Sequence, residues 1–347
     1  MRALIYHAPH DIRLGEAPEP RLLDDRDAIV RVEAAGLCGS DLHVWHGRET
    51  GLDPGTVMGH EFAGSVVEAG PQADWRVGDR VVAPFTTNCG NCFYCHEGLT
   101  ARCTSGQLFG WVQGGAGLQG GQAELVRVPL ADSTLIPVPE GVPLEVALLM
   151  GDALATGWHA ARKSYVRHGQ VVAVLGLGPV GLCAVLAAQE RGVGRVFALD
   201  GVAERRAFAT SLGAEAHDAG AGALAAVRAV TEGRGADVVL ECAGSPAAAR
   251  LAFDLVRPGG TISAVGVHHE AGFAFSPIEA YDRNLTYRIG RCPARAYAED
   301  LVPVVRHHAA TLSRMITHRV PIERGPEMYR LFDEKREGCL KVVFALE

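Results

Sequence analysis

Between Cys38 and Glu61 the chain gathers a thiol, a hydroxyl, several imidazoles and a carboxylate: C-G-S-D-L-H-V-W-H-G, then a loop, then G-H-E. Cys38 and His60 supply a thiolate and an imidazole, the donors zinc prefers. Ser40 and His43 lie just beyond the thiol and could carry a proton. His60 and Glu61 are adjacent, so on a strand they would face opposite ways and only one need point at a metal. Taken alone, the stretch reads equally well as a buried cysteine beside surface histidines.

A second cluster follows in C-G-N-C-F-Y-C-H-E-G-L-T-A-R-C, where Cys89, Cys92, Cys95 and Cys103 stand close together. Four thiols so packed suit a closed, tetrahedral, structural zinc site; the alternatives are a chance cluster or an iron–sulfur site. The chain has 9 cysteines, and its start, M-R-A-L-I-Y-H, is too polar for a secretory signal. An odd count without a signal argues against a disulfide framework.

The third chemical signal is G-L-G-P-V-G. Gly176, Gly178 and Gly181 fill G-x-G-x-x-G, with Pro179 and Val180 between them, directly after the apolar run Val171–Leu175. The first glycine permits a tight turn, the second lets a pyrophosphate approach the backbone, and the third lets a helix pack on the strand. A helix from Pro179 to Arg191 would aim its N-terminal N–H groups at phosphate, and proline suits its first turn. Asp200 ends the next strand, where an acid grips the ribose hydroxyls of NAD.

These groups need scaffolds of two textures. Residues 1–152 read as short strands broken by Pro and Gly, at 28–34, 65–68, 80–83, 123–128 and 135–138: a β-rich, antiparallel, barrel-like half carrying the cysteine lobe 88–104. Ala28, Val30, Val32 and Ala34 alternate there with Ile29, Arg31 and Glu33, the pattern of a half-buried strand. Residues 153–290 alternate strand and helix, giving six strands, the one at 215–217 very short, in a doubly wound parallel sheet. Residues 291–347 predict helices at 300–308 and 326–335 and a strand at 340–345, too little for a core of their own, so they pack back on the first half. The uncharged stretch Val171–Ala188 is no membrane span, because its glycines and proline divide it into strand, turn and helix. The 347 residues are 48% hydrophobic with a net charge of −7, which fits a protein for small molecules and argues against nucleic-acid or anionic-membrane partners. A cytoplasmic setting is expected.

With these motifs in place, the chain resembles the zinc-dependent medium-chain dehydrogenases, which include alcohol, sorbitol, threonine and formaldehyde dehydrogenases. The resemblance rests on C-G-S-D-L-H, G-H-E-F-A-G, V-G-D-R-V, the four-cysteine lobe, G-x-G-x-x-G, D-V-V-L-E-C-A-G and R-P-G-G, and covers essentially the whole chain. It implies an α/β protein in which a GroES-like catalytic domain is split in sequence by an inserted Rossmann domain. It implies Cys38 and His60 as catalytic zinc ligands, Ser40 and His43 as a proton relay, and hydride transfer between an alcohol, polyol or aldehyde hydrate and NAD. Thr156 then packs near the nicotinamide, the Val265 and Val267 backbone meets its carboxamide, Arg205 lies near the adenine ribose, and Lys341 faces the pyrophosphate. Homodimers or homotetramers are expected, with small alcohols or aldehydes as substrates.

One position departs from the commoner pattern. Where many members carry a third zinc thiolate, this chain has M-G-D-A-L-A-T-G, with Asp152. Asp152 or Glu61 completes the metal shell; Asp152 is favoured because, four residues before Thr156, it would share a helix face with it. Trp45, Phe109 and Trp111 read as pocket flanks or as packing. The competing functions are a zinc-free NADPH quinone or enoyl reductase and a non-catalytic NAD sensor.

Overall fold

The computed structural model describes residues 1–346. The chain forms two compact units: Met1–Ala155 with Pro293 onward, and Thr156–Cys292. The changeovers fall a few residues beyond the 152 and 290 read from the sequence, and the first lies inside the helix Ala153–Lys163.

The first unit is built on a seven-stranded sheet. Its order is Ile316–Pro321, Lys341–Ala345, Ala28–Leu37, Phe62–Ala69, Arg80–Ala83, Ile136–Pro137, with Leu125–Val128 also paired to Ala28–Leu37. The C-terminal segment thus completes the sheet begun by the N-terminal half: Val342 pairs with Leu37, Val343 with Gly36 and Phe344 with Ala35, antiparallel. The alternation expected of residues 28–34 holds only in its middle: Arg31 is exposed and Glu33 half-buried, but Ile29 is buried with Ala28 and Val30, and burial on both faces runs from Ala34 to Leu37. Leu4, Val30, Leu37, Phe62, Phe109, Tyr329 and Phe344 belong to the core against it. Trp45 and Phe109 are core residues, and Trp111 packs partly buried on them. The strand Ile316–Pro321 and the helix Ala309–Met315 were not anticipated.

The second unit is a six-stranded, all-parallel sheet in the order Glu215–His217, Arg195–Leu199, Val171–Leu175, Ala236–Glu241, Val256–Ala264, Thr286–Ile289. Numbered along the chain this is 3-2-1-4-5-6, the doubly wound arrangement whose ligands bind where the order reverses. Here the reversal lies between Val171–Leu175 and Ala236–Glu241. Val171–Leu175 is buried almost throughout, as a central parallel strand with covered faces must be. Val171–Ala188 resolves into strand, turn and helix, and among the described residues no helix is long and apolar enough to cross a membrane.

Candidate metal centres and cofactor site

In the first unit, Cys38 follows the strand Ala28–Leu37, and His60 precedes Phe62–Ala69. Asp152 sits between the short 3-10 turn Leu148–Gly151 and the helix beginning at Ala153. Their ligand atoms all lie within 4.8 Å of one another. Asp152 Oδ2 is 3.2 Å from Cys38 Sγ and 3.4 Å from His60 Nε2. Ser40 Oγ stands 3.1 Å from His60 Nε2 and 3.4 Å from Cys38 Sγ. Tetrahedral zinc with ordinary bond lengths separates its donors by roughly 3.4–3.8 Å; the imidazole–carboxylate spacing matches and the thiol–carboxylate spacing is slightly shorter, so a small outward shift of Asp152 lets the three fit one zinc ion. Asp152 does not share a helix face with Thr156, because it precedes the helix.

The electrostatics fit a cation as well. Burial, then the charges of Asp152 and Glu61, push the Cys38 thiol up to about 11. Burial opposes charge on His60, but Asp41 and Asp152 hold its pKa well above the ordinary value. Burial likewise opposes charge on Asp152, and its bond to His60 brings it down to about 2. A dication among these donors favours the thiolate and the neutral imidazole that ligation requires.

Asp41 was missed as a functional residue. One of its oxygens lies 3.3 Å from His60 Nδ1, and the other accepts the Cys38 N–H at 2.9 Å. It therefore orients both donors, and fixes the imidazole so that Nε2 faces the cluster. Its place in C-G-S-D-L-H was the available signal. Gln122 donates to Gly36 O at 3.0 Å and accepts from Tyr329 Oη at 2.8 Å; nothing local in the sequence marks either residue. His43 lies on the helix Asp41–Trp45, one turn beyond Ser40, and its N–H donates to Ser40 O at 3.0 Å.

Glu61 is not part of the donor cluster. Its carboxylate is paired with the Lys341 ammonium, which also donates to Leu37 O at 3.0 Å. Both side chains are at most 1% exposed, and Glu61 Oε1 is buried without a hydrogen-bond partner among the described residues. Burial drives the Glu61 carboxyl up to about 7 against the pull of Lys341. This corrects the expectation for Lys341: its ammonium is consumed inside the sheet of its own unit rather than offered to a pyrophosphate. The cause is register, since pairing of Lys341–Ala345 with Ala34–Leu37 sets Lys341 beside the carboxylate that follows His60.

The Cys89, Cys92, Cys95 and Cys103 sulfurs also lie within 4.8 Å of one another, with Cys92 and Cys95 3.6 Å apart. The Cys89 and Ser105 N–H groups donate to Cys103 Sγ at 3.2 and 3.4 Å. Backbone N–H groups of Thr104 and Cys95 bring Cys92 down to about 5, while burial and neighbouring thiols push Cys95 up to about 12. A closed tetrathiolate zinc site fits these donors.

In the second unit, Gly176 takes a positive φ of 82°, and a Cβ on it would lie 2.9 Å from Ala243 Cβ. A Cβ on Gly181 would collide with Gly176 O, so strand and helix meet too closely for any side chain. Gly178 caps the helix Pro179–Glu190, with Pro179 first and the partly exposed Val180 next. Asp200 ends Arg195–Leu199; its oxygens accept the Leu177 N–H at 2.7 Å and the Val202 N–H at 2.8 Å. Arg205 Nη1 lies 3.7 Å from Asp200 and 3.9 Å from the Cβ position of Gly178. Arg206 Nη1 donates to Asp200 O at 2.8 Å. The Val265 N–H donates to Glu241 O at 2.9 Å, and Val267 is exposed. Thr156 is buried on the helix Ala153–Lys163.

A thiol–imidazole–carboxylate cluster that fits zinc on one unit, and a doubly wound parallel sheet with a glycine fingerprint on the other, are the features of an oxidoreductase of the zinc-type alcohol dehydrogenase class. The comparisons agree. Residues 24–140 match the alcohol dehydrogenase GroES-like domain and residues 179–301 the zinc-binding dehydrogenase domain. A zinc-type alcohol dehydrogenase B of Aspergillus flavus is 40% identical over 354 residues, covering 99% of this chain and 81% of that one. An alcohol dehydrogenase from Thermus sp. ATN1 superposes with a TM-score of 0.95 at 38% identity over the full length of both chains. A zinc-binding dehydrogenase of Sinorhizobium meliloti, bound to NADP, superposes with a TM-score of 0.83 at 28% identity over 99% of each chain. The chain belongs to the zinc-dependent medium-chain dehydrogenase family.

Proposed function

We propose that this protein is a zinc-dependent alcohol dehydrogenase that passes a hydride between an alcohol, polyol or aldehyde hydrate and NAD. The observation that carries the reading is the convergence of Cys38, His60 and Asp152 with the Ser40 hydroxyl 3.1 Å from His60 Nε2. Bound zinc supplies the Lewis acidity that lowers the pKa of an alcohol, and the nicotinamide accepts the hydride. Cys38, His60 and Asp152 hold the metal, and Asp41 holds the first two in place. Ser40 Oγ takes the substrate's hydroxyl proton, and His43 passes it outward. The cysteine lobe holds the second zinc and serves the fold.

Gly176, Gly178 and the helix start at Pro179 receive the pyrophosphate. Asp200 keeps a lone pair on each oxygen for the ribose hydroxyls and repels a 2′-phosphate, which supports NAD over NADP. Arg205 flanks the adenine ribose, Thr156 packs near the nicotinamide, and the Val265–Val267 backbone meets its carboxamide. A homodimer or homotetramer in the cytoplasm, without nucleic-acid or membrane partners, completes the proposal.

The test is steady-state turnover on a panel of primary and secondary alcohols, polyols and aldehydes, followed by NADH absorbance. Turnover should vanish on chelation and return with zinc. Zinc-replete protein inactive on every substrate with both NAD and NADP would overturn the reading.

A further inference from the structure

The buried carboxylate of Glu241 ends the fourth strand of the doubly wound sheet, immediately past the point where strand order reverses. In such a sheet one mononucleotide half of the cofactor lies over the first three strands and the other over the last three. Asp200 marks the adenosine half. The nicotinamide half therefore meets the loops after Ala236–Glu241 and Val256–Ala264, which are residues 242–245 and the start, 265–268, of the segment 265–276.

Those loops touch backbone to backbone. Gly244 has φ +65°, and a Cβ there would collide with Val267 O, while a Cβ on Gly266 would collide with Gly244 N. Glu241 ties both together. Its Oε1 accepts the Ala243 and Gly244 N–H groups, each at 2.8 Å, and Oε2 lies 3.0 Å from His268 Nε2. Its main-chain oxygen accepts the Val265 and Gly266 N–H groups at 2.9 and 3.2 Å. Glu241 is 1% exposed and His268 18% exposed, so the pair reaches from the sheet to the loop surface. Glu241, then burial acting against it, leaves His268 with a raised pKa, to which Glu270 adds; Glu241 also faces Tyr287 and Cys242. A buried carboxylate is costly unless fully bonded, and an apolar residue would hold the strand without that cost.

We propose that the Glu241–His268 pair is a clamp that fixes the Val265–Val267 backbone for the nicotinamide, with His268 as a positioning residue. The inference rests on the proposed nicotinamide cofactor. It is tested on full-length protein by titrating wild type, His268→Ala and His268→Gln with NADH and, separately, with ADP-ribose, which lacks the nicotinamide. His268→Ala should weaken NADH about tenfold, the worth of one charge-assisted hydrogen bond, and leave ADP-ribose within about twofold. His268→Gln should restore NADH binding, because its amide N–H reaches Glu241. If the alanine variant does not fold, His268→Asn, whose shorter amide stops short of Glu241, makes the same comparison. Unchanged NADH affinity, or equal weakening of both ligands, would overturn the clamp. Wild type that binds neither ligand would overturn the cofactor reading beneath it.

Discussion

Replacing Lys341 by Met removes one half of a buried ion pair and leaves the other in place. Glu61 has one oxygen already without a partner, and the other is held by Lys341 alone among the described residues. Gly36 packs so closely on that carboxylate that no side chain fits between them. Breaking a buried pair from one side costs about 3–5 kcal/mol, because the remaining charge is stranded. Leu37 O loses its Lys341 donor as well. For a unit of this size the loss lowers the melting temperature by roughly 6–20 °C. The sign with pH follows from Glu61, whose pKa is raised from 4.5 to about 7 by burial despite Lys341. A carboxyl raised in the folded state contributes most below its unfolded pKa and loses that contribution as pH rises through the folded value. Lys341→Met should therefore melt nearest to wild type in mild acid and furthest from it in mild alkali. Glu61→Leu with Lys341→Met removes both charges and should recover most of the loss. The assay is thermal melting by circular dichroism of the zinc-loaded protein. A single variant that melts like wild type, or a double variant no better than the single, would show that the buried Glu61–Lys341 pair does not carry this stability.

Cys92→Ser should release one zinc of about two per chain and lower the melting temperature of the whole protein, because a structural site contributes folding energy; elemental analysis with melting checks it. Cys38→Ser should abolish turnover yet leave the lobe's zinc in place. Asp200→Gly should narrow a preference for NAD over NADP of at least about tenfold, read as the ratio of kcat/KM values. His159 is buried and its pKa lies at about 4, lowered from 6.5 by burial and then by Lys163 and Arg162. Its contribution to stability is present above pH 6.5 and is lost as pH falls towards 4, by up to about 3 kcal/mol, so His159→Gln should flatten the melting temperature across that window.

The sequence made legible the parts whose chemistry is local. The cysteine lobe and the glycine fingerprint each lie within one short stretch, and a strand, a turn and a helix give them their geometry. Asp152 was reached through resemblance, while its stated reason, a shared helix face with Thr156, does not hold. Lys341 was assigned to the pyrophosphate through resemblance alone; its burial beside Glu61 follows from the pairing of Val342 with Leu37, which no local pattern encodes. The same holds for Gln122 and Tyr329, joined by a hydrogen bond across most of the chain. Glu241 stood in a recognised motif, but its partner His268 lies on the loop after the next strand, so only the parallel sheet shows the clamp.

Cys38, His60 and Asp152 are proposed to hold a catalytic zinc while Glu61 stays with Lys341. Anomalous scattering at the zinc edge from crystals of the zinc-loaded protein reads this arrangement at the metal itself. One peak should lie inside the four-cysteine lobe and a second should be bonded by Cys38, His60 and an Asp152 oxygen at roughly 2.0–2.2 Å. A map with no second peak, or with Glu61 on the metal and Asp152 beyond bonding distance, would contradict it.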